Sequence, residues 1–260
     1  METVNSSLSE IRTPHLGKRV YVYFVLLALC ISGTVILKAR WEEHVIPRQV
    51  VVEGIDILSK DDVLHLMKLP VNVSSYDLDL TTIQQNILAN SFVKSVVVRR
   101  DSPDRLLVDV TERTPAAILL SNGMFYVDED GIVLPYLATT EKYDIPVITG
   151  LDSAKGIRSG MRLTNQDLLD ALQIIRTAKE VSDGLAHSIS EIRVRKGHDI
   201  VLYTADAGIP IIFGKGDIAK KLVKLDAFRR KFLQNISTTD IQYIDIRFDD
   251  QVVVSHKTTS

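Results

Sequence analysis

An α+β fold behind a single membrane-spanning helix is predicted by three observations. The run Val20–Leu37 carries no charged residue. Residues 48–115 read as strand, helix, helix, strand, strand. Beyond Pro115, hairpin-turn dipeptides and two amphipathic helices alternate with short apolar strands, the pattern of helices laid on a mainly antiparallel sheet. The expected organisation is a polar tail (1–19), a span (20–37), a linker (38–47), a first folded domain (48–116) and a second (117–260).

The span sits at the lower end of the length needed to cross a hydrocarbon core of about 30 Å. Lys18 and Arg19 precede it, and Lys38 and Arg40 follow it. The apolar run is too long for a typical signal peptide and no small-x-small cleavage site follows, so an uncleaved anchor is expected. Basic residues balance across the span, leaving the positive-inside rule tied. The short tail, with Ser6, Ser7 and Ser9, is expected to be disordered and to stay inside. Trp41 stands where an interfacial aromatic belongs, and Pro47 opens the folded body.

In the first domain, QVVVEGIDIL reads as a strand ending near Gly54. Ser59 and Asp62 have capping-box spacing ahead of a helix with Val63, Leu66 and Met67 on one face. Pro70 stops that helix. Leu80, Ile83, Ile87 and Leu88 form the apolar stripe of a second, with Asp79 as its cap. FVKSVVVRR, a turn at Pro103 and RLLVDVTER then make a hairpin. In the second domain, Asn122-Gly123 and Asp130-Gly131 predict hairpin turns. IPVITG, EIRVRKGHDIVLYTAD and IPIIFG read as strands. One helix carries Leu168, Leu172 and Ile175 inward, and another carries Leu222, Leu225, Phe228 and Phe232. The segment Gln242–Ser255 closes the chain as one long strand or a final hairpin, with Ile244, Ile246 and Phe248 alternating against Tyr243, Asp245 and Arg247.

Candidate chemistry is sparse. The net charge of −2 gives no hint of nucleic-acid binding, which would normally show a basic face. Cys30, inside the span, is the only cysteine, which excludes a disulfide framework and a Cys-based zinc site. The six histidines have no metal-ligand spacing, and no nucleophile motif appears. Asp128-Glu129-Asp130-Gly131 resembles half a calcium loop but is better read as a β-turn. FGKGD matches no phosphate-loop spacing and reads as a tight turn with Asp217 capping the next helix. Asp249 and Asp250 are adjacent on a strand and so point to opposite faces, a poor arrangement for shared acid–base work. A free strand edge offers more: unpaired N–H and C=O groups to which a partner can add a strand. Whether Gln242–Ser255 is such an edge or an interior strand stays open at the level of sequence.

The ordered set VEGIDILSKDDV, DLTTIQQNILANSFVKSVVVRRDSPDRLLVDVTERTPAAIL, FGKGD and YIDIRFDD, behind one span, resembles the bacterial cell-division family FtsQ/DivIB. Within it, Val93, Val96, Arg99, Pro103, Leu106, Val108, Glu112, Arg113 and Pro115 match the strand-turn-strand pattern of its POTRA domain. The resemblance implies an α+β protein with one transmembrane helix, a POTRA domain and a mixed domain with a mainly antiparallel sheet. It further implies a non-enzymatic, cofactor-free, single-pass protein of the cell inner membrane at the septum, tail in the cytoplasm and body in the periplasm. Such a protein binds FtsB and FtsL-type partners and helps control septal peptidoglycan synthesis. By position, the implied partner contacts are Tyr243, Arg247, Phe248, Asp249, Asp250, Gln251 and Val252, with Arg195 or Lys196 as a basic site on an earlier strand. Phe248 stands where the family often has Tyr, and Asp250-Gln251 replaces a small, flexible pair. Arg99, Arg100 and Arg113 are further candidate polar contacts on the POTRA hairpin. The competing reading is a POTRA-bearing chaperone or transport component, a class that usually carries repeated POTRA units or a barrel.

Overall fold

A computed structural model describes residues 17–42, 49–102, 104–137, 143–151, 156–232 and 238–257. Residues 1–16 of the tail (His15 among them), Pro47, Pro103, His44 and the side chain of Trp41 lie outside the described residues. By its contacts the chain divides into two units. One comprises Met1–Val51, Pro70–Asp79 and Arg100–Leu106; the other comprises Val52–Leu69, Leu80–Arg99 and Leu107–Ser260.

Helix α1 (Lys18–Glu42) contains Val20–Lys38, long and apolar enough to cross a membrane and with none of its residues buried in the protein. Its serine and threonine hydroxyls are satisfied within the helix. Ser32 Oγ donates to the carbonyl of Ala28 at 2.7 Å and Thr34 Oγ1 to that of Ile31 at 2.8 Å. This is how polar groups survive in hydrocarbon, where no water can replace a lost partner.

The POTRA order is as predicted: β1 (Gln49–Glu53), α2 (Lys60–Met67), α3 (Leu80–Leu88), β2 (Val93–Ser102) and β3 (Arg105–Glu112), with β3 central in a sheet ordered β1-β3-β2. The capping box of α2 is complete: Ser59 Oγ accepts from the Asp62 amide and the Asp62 carboxylate accepts from the Ser59 amide. Val63, Met67, Ile83 and Ile87 are buried, each aliphatic contributing on the order of 1.5–3 kcal/mol. Leu88 departs from the expected stripe and is 45% exposed. It is turned about 100° from Ile87, which takes it off the buried face. Gly54 has φ +77°, and a Cβ there would strike the carbonyl oxygen of Val110, so no other residue fits where the chain leaves β1.

The second domain holds β4 (Pro115–Leu120), β5 (Met124–Asp128), β6 (Val133–Pro135), β7 (Val147–Thr149), α4 (Gln166–Val181), α5 (Asp183–His187), β8 (Ile189–Arg195), β9 (Asp199–Thr204), β10 (Pro210–Gly214), α6 (Ile218–Lys231), β11 (Ile241–Asp245) and β12 (Val253–His256). Its strands form one sheet, ordered β12-β11-β10-β9-β8-β7-β4-β5-β6. The antiparallel pairings predominate, and β4–β7, β7–β8 and β10–β11 run parallel. Asn122 and Gly123 make the β4–β5 turn, both with positive φ. The carboxylate of Asp128 accepts from the amides of Asp130 (3.0 Å) and Ile132 (2.7 Å) and from Arg113 at 2.8 Å. The half calcium loop is therefore a turn, its acid occupied by the chain itself.

Leu168, Leu172, Ile175, Leu222 and Leu225 enter the main core as expected, beneath Ile192, Leu202 and Phe213. Phe232 does not: it lies just past α6, 43% exposed, and stacks on Phe228 with ring centroids 5.3 Å apart. Asp217 sits at the N-cap of α6 but in the left-handed region (φ 48°) and makes no side-chain capping bond. A capping side chain needs an extended backbone to fold back on the first turn; here the turn takes that freedom away.

Candidate functional site

The final segment is a hairpin rather than one long strand. β11 is interior, paired in parallel with β10 and antiparallel with β12. β12 is the rim of the sheet, and β11 is its sole strand neighbour among the described residues. At the opposite rim, β6 is covered. The amide of Val133 donates to Met161 O at 2.9 Å and that of Gly160 to Val133 O at 2.7 Å. Among the described residues the sheet therefore presents one open border, at Val253–His256, with Val253 38% exposed.

Ile244 and Ile246 are fully buried, whereas Phe248 is 47% exposed. The alternation expected to carry Phe248 along the strand ends at Asp245, and residues 246–252 form a loop. That loop has a built shape. Lys224 Nζ, from α6, donates to the carbonyl of Ile246 at 3.0 Å and also to that of Phe248. Lys220 pairs with Asp249 at 3.1 Å, which raises the lysine and lowers the aspartate relative to their ordinary values. Asp250 and Gln251 are exposed, and Val252 packs partly against the main core.

Arg247 is held by Asp245 through a bidentate pair, Nη2–Oδ2 at 2.6 Å and Nε–Oδ1 at 3.0 Å. The bond from Arg247 keeps the nearly buried Asp245 carboxyl below the usual carboxylate range against the upward push of burial. Gly214 (φ +72°) leaves room for the stem of Arg247, whose Cγ would lie 2.9 Å from any added Cβ. Tyr243 is half-buried on β11.

Arg195 ends β8 and pairs with Asp199 of β9; Ile200, one residue on, pairs with Gly214 of β10. That cross-strand row places Arg195 and the adjoining turn residue Lys196, both exposed, at the end of the sheet that carries Arg247. The structure thus gathers Arg195, Lys196 and residues 247–252 at one end, with the β12 border beside them. The POTRA arginines differ among themselves. Arg100 donates to the carbonyls of Ser75, Tyr76 and Leu78 at 2.7–3.2 Å, and Arg113 pairs with Asp128 and Asp130. Both are occupied within the fold, and Arg99 alone of the three is exposed without such a role on these carbonyls and acids.

Lys220 and Lys224 are missed by the sequence reading, which takes from this helix only its inward Leu222, Leu225, Phe228 and Phe232. Their i,i+4 spacing is the only signal, and its target emerges only when the loop folds back on the helix. Lys224→Met keeps the stem and removes both bonds. We expect faster hydrogen exchange at residues 246–250, read by mass spectrometry, with the circular dichroism spectrum unchanged.

Residues 114–255 match the family described as FtsQ/DivIB, C-terminal related, and residues 47–113 match the FtsQ-type POTRA domain. Proteins named cell division protein FtsQ are similar over most of the chain. That of Geotalea daltonii is 29% identical, covering 86% of this chain and 78% of the relative. That of Geobacter sp. (strain M21) is 27% identical, covering 76% and 71%, and that of Syntrophotalea carbinolica 26%, covering 88% and 79%. With the predicted POTRA order, the nine-stranded sheet and the family matches in agreement, the chain belongs to the FtsQ/DivIB family of cell-division proteins.

Proposed function

We propose that this protein is a non-enzymatic divisome component that captures FtsB and FtsL-type partners by strand addition at β12 and thereby helps control septal peptidoglycan synthesis. Family membership supports a role in cell division. The observation that carries the finer reading is the single open border of the sheet, with a fixed loop and exposed Phe248 beside it. A partner strand laid along Val253–His256 would gain main-chain hydrogen bonds there. Arg195, Lys196 and Arg247 favour an acidic stretch in that partner, setting register and encounter rate more than affinity. The anchor is read as crossing the inner membrane once, tail inside and body in the periplasm, at the septum. One POTRA unit and an FtsQ-type second domain speak against the chaperone or transport reading.

Successive amides along a strand face opposite sides, so one of Val253 and Val254 directs its N–H toward β11 and the other toward the open border. Proline at each position in turn separates damage to the hairpin from loss of docking. The expected result is that one variant keeps its thermal stability yet loses capture of purified FtsB-type partner, as does Phe248→Ala in part. Full capture by both proline variants would rule the border out as the docking site.

A further inference from the structure

We propose that the α2–α3 connection, Pro70–Asp79, rests on the lipid bilayer that holds α1, with Val71 and Tyr76 entering its interfacial layer. The inference rests on reading Val20–Lys38 as the membrane span, and it is independent of the partner site on β12.

Reach is the first reason. α1 ends at Glu42 and β1 begins at Gln49, a separation of seven Cα steps, about 25 Å at full extension. The apolar stretch ends at Lys38, so α1 continues about 6 Å beyond it, roughly the depth of the headgroup layer on one side. Gln49 is therefore tethered within a short distance of the lipid surface.

The second reason is what lies at that end of the sheet. The amide of Gln49 donates to Asp104 O at 3.2 Å, placing the β2–β3 turn beside the start of β1. Arg100, just before that turn, binds the carbonyls of Ser75 (2.7 Å), Tyr76 (3.2 Å) and Leu78 (2.9 Å). The connection is thus fastened to the tethered end by three hydrogen bonds from one guanidinium.

The third reason is the surface it shows. Val71 is 85% exposed and Tyr76 44% exposed, while Leu78 beneath is buried. Asn72, in the left-handed region at φ 61°, turns the chain just after Val71. A tip valine and an exposed tyrosine, apolar ring and polar hydroxyl together, suit an interface that is apolar on one side and wet on the other. Two side chains are too few for a stable protein interface, but a tether supplies the high local concentration at which a small contact persists. Asp77 and Asp79 on the same connection are exposed, so the contact is apolar and does not depend on anionic lipid.

The test uses the full chain with Cys30→Ser, a single Val71→Cys carrying an environment-sensitive fluorophore, and vesicles of phosphatidylcholine with or without phosphatidylglycerol. The same label at Val223→Cys, an exposed site on α6, is the control. The expected result is blue-shifted emission at position 71, quenched by nitroxides near the headgroup in both lipid mixtures and reversed toward the control by Tyr76→Asp. Emission equal to the control, or a shift only with phosphatidylglycerol, overturns the proposal. Labelling native Cys30 reports the anchor separately. Quenching there by a nitroxide deep in the acyl chains, with a water-like label at 71, defeats the proposal alone; an unquenched Cys30 defeats the anchor reading and the proposal with it.

Discussion

Replacing Glu112 with alanine is expected to destabilise the protein by about 3 kcal/mol, because its carboxylate accepts three backbone N–H groups at once. The donors are the amides of Asp56 (3.0 Å), Ile57 (2.7 Å) and Leu58 (2.8 Å). Asp56 is exposed and water can replace its bond. The other two amides are half-sheltered, and hydrogen bonds to a charged acceptor are worth more than neutral ones. Ile57 and Leu58 also pack against Phe92, Tyr126, Ile132 and Leu134, so releasing their backbone loosens an apolar contact as well. Glu112→Gln keeps one acceptor oxygen and should lose about half as much. Urea denaturation of the full chain in detergent, followed by far-ultraviolet circular dichroism, measures both. Equal stability of Glu112→Ala and the parent would show that the loop needs no such clamp.

The second large effect is expected at Asp226. It is 1% exposed and is bound by Arg229 at 3.0 Å, Arg230 at 2.8 Å and the Ser182 hydroxyl at 3.0 Å. Burial pushes this carboxyl up, but the bonds from Arg229 and Ser182, with the charges of Arg230 and Arg229, outweigh it and hold the group below its ordinary value. Asp226→Ala strands Arg229, itself 23% exposed. The expected loss is about 2–3 kcal/mol, less than for a fully buried pair because the arginines keep some water. A carboxyl lowered in the folded state stabilises above its unfolded pKa, and that contribution disappears as pH falls through the lower folded value. The parent should therefore lose stability to acid below about pH 4, and Asp226→Ala should show a shallower loss there. An unchanged acid profile in the variant would place the acid sensitivity elsewhere; Asp245, lowered by Arg247, is the next group to replace.

What could be read from sequence shares a physical character. The capping box at Ser59 and Asp62, the Asn122-Gly123 turn and the apolar stripe of Leu168, Leu172 and Ile175 are all set by residues within about two helical turns or one hairpin. Their energetics are local, so spacing reveals them. Leu88, Phe232 and Asp217 escaped the same reasoning: Leu88 falls at the edge of its helix stripe, Phe232 lies past the end of α6, and Asp217 sits in a left-handed turn.

The site shows the same division. Sequence found the terminal apolar segment and the residues around it, yet could not tell an edge from an interior strand. Edge status depends on which strands are neighbours, and here that requires the parallel pairing of β10 with β11, joined through α6. Likewise nothing near Glu112 in sequence marks the amides of Asp56, Ile57 and Leu58, more than fifty residues away, as its targets.

By itself, then, the sequence determined the apolar span, the order of the elements and the buried face of most helices, because hydrophobic period and turn chemistry act at short range. Only the tertiary structure decided that β12 and not β11 forms the rim, that β6 is closed off, and that Lys224 fixes the loop carrying Phe248. Those outcomes depend on long-range strand pairing and helix placement, which no local pattern of residues encodes.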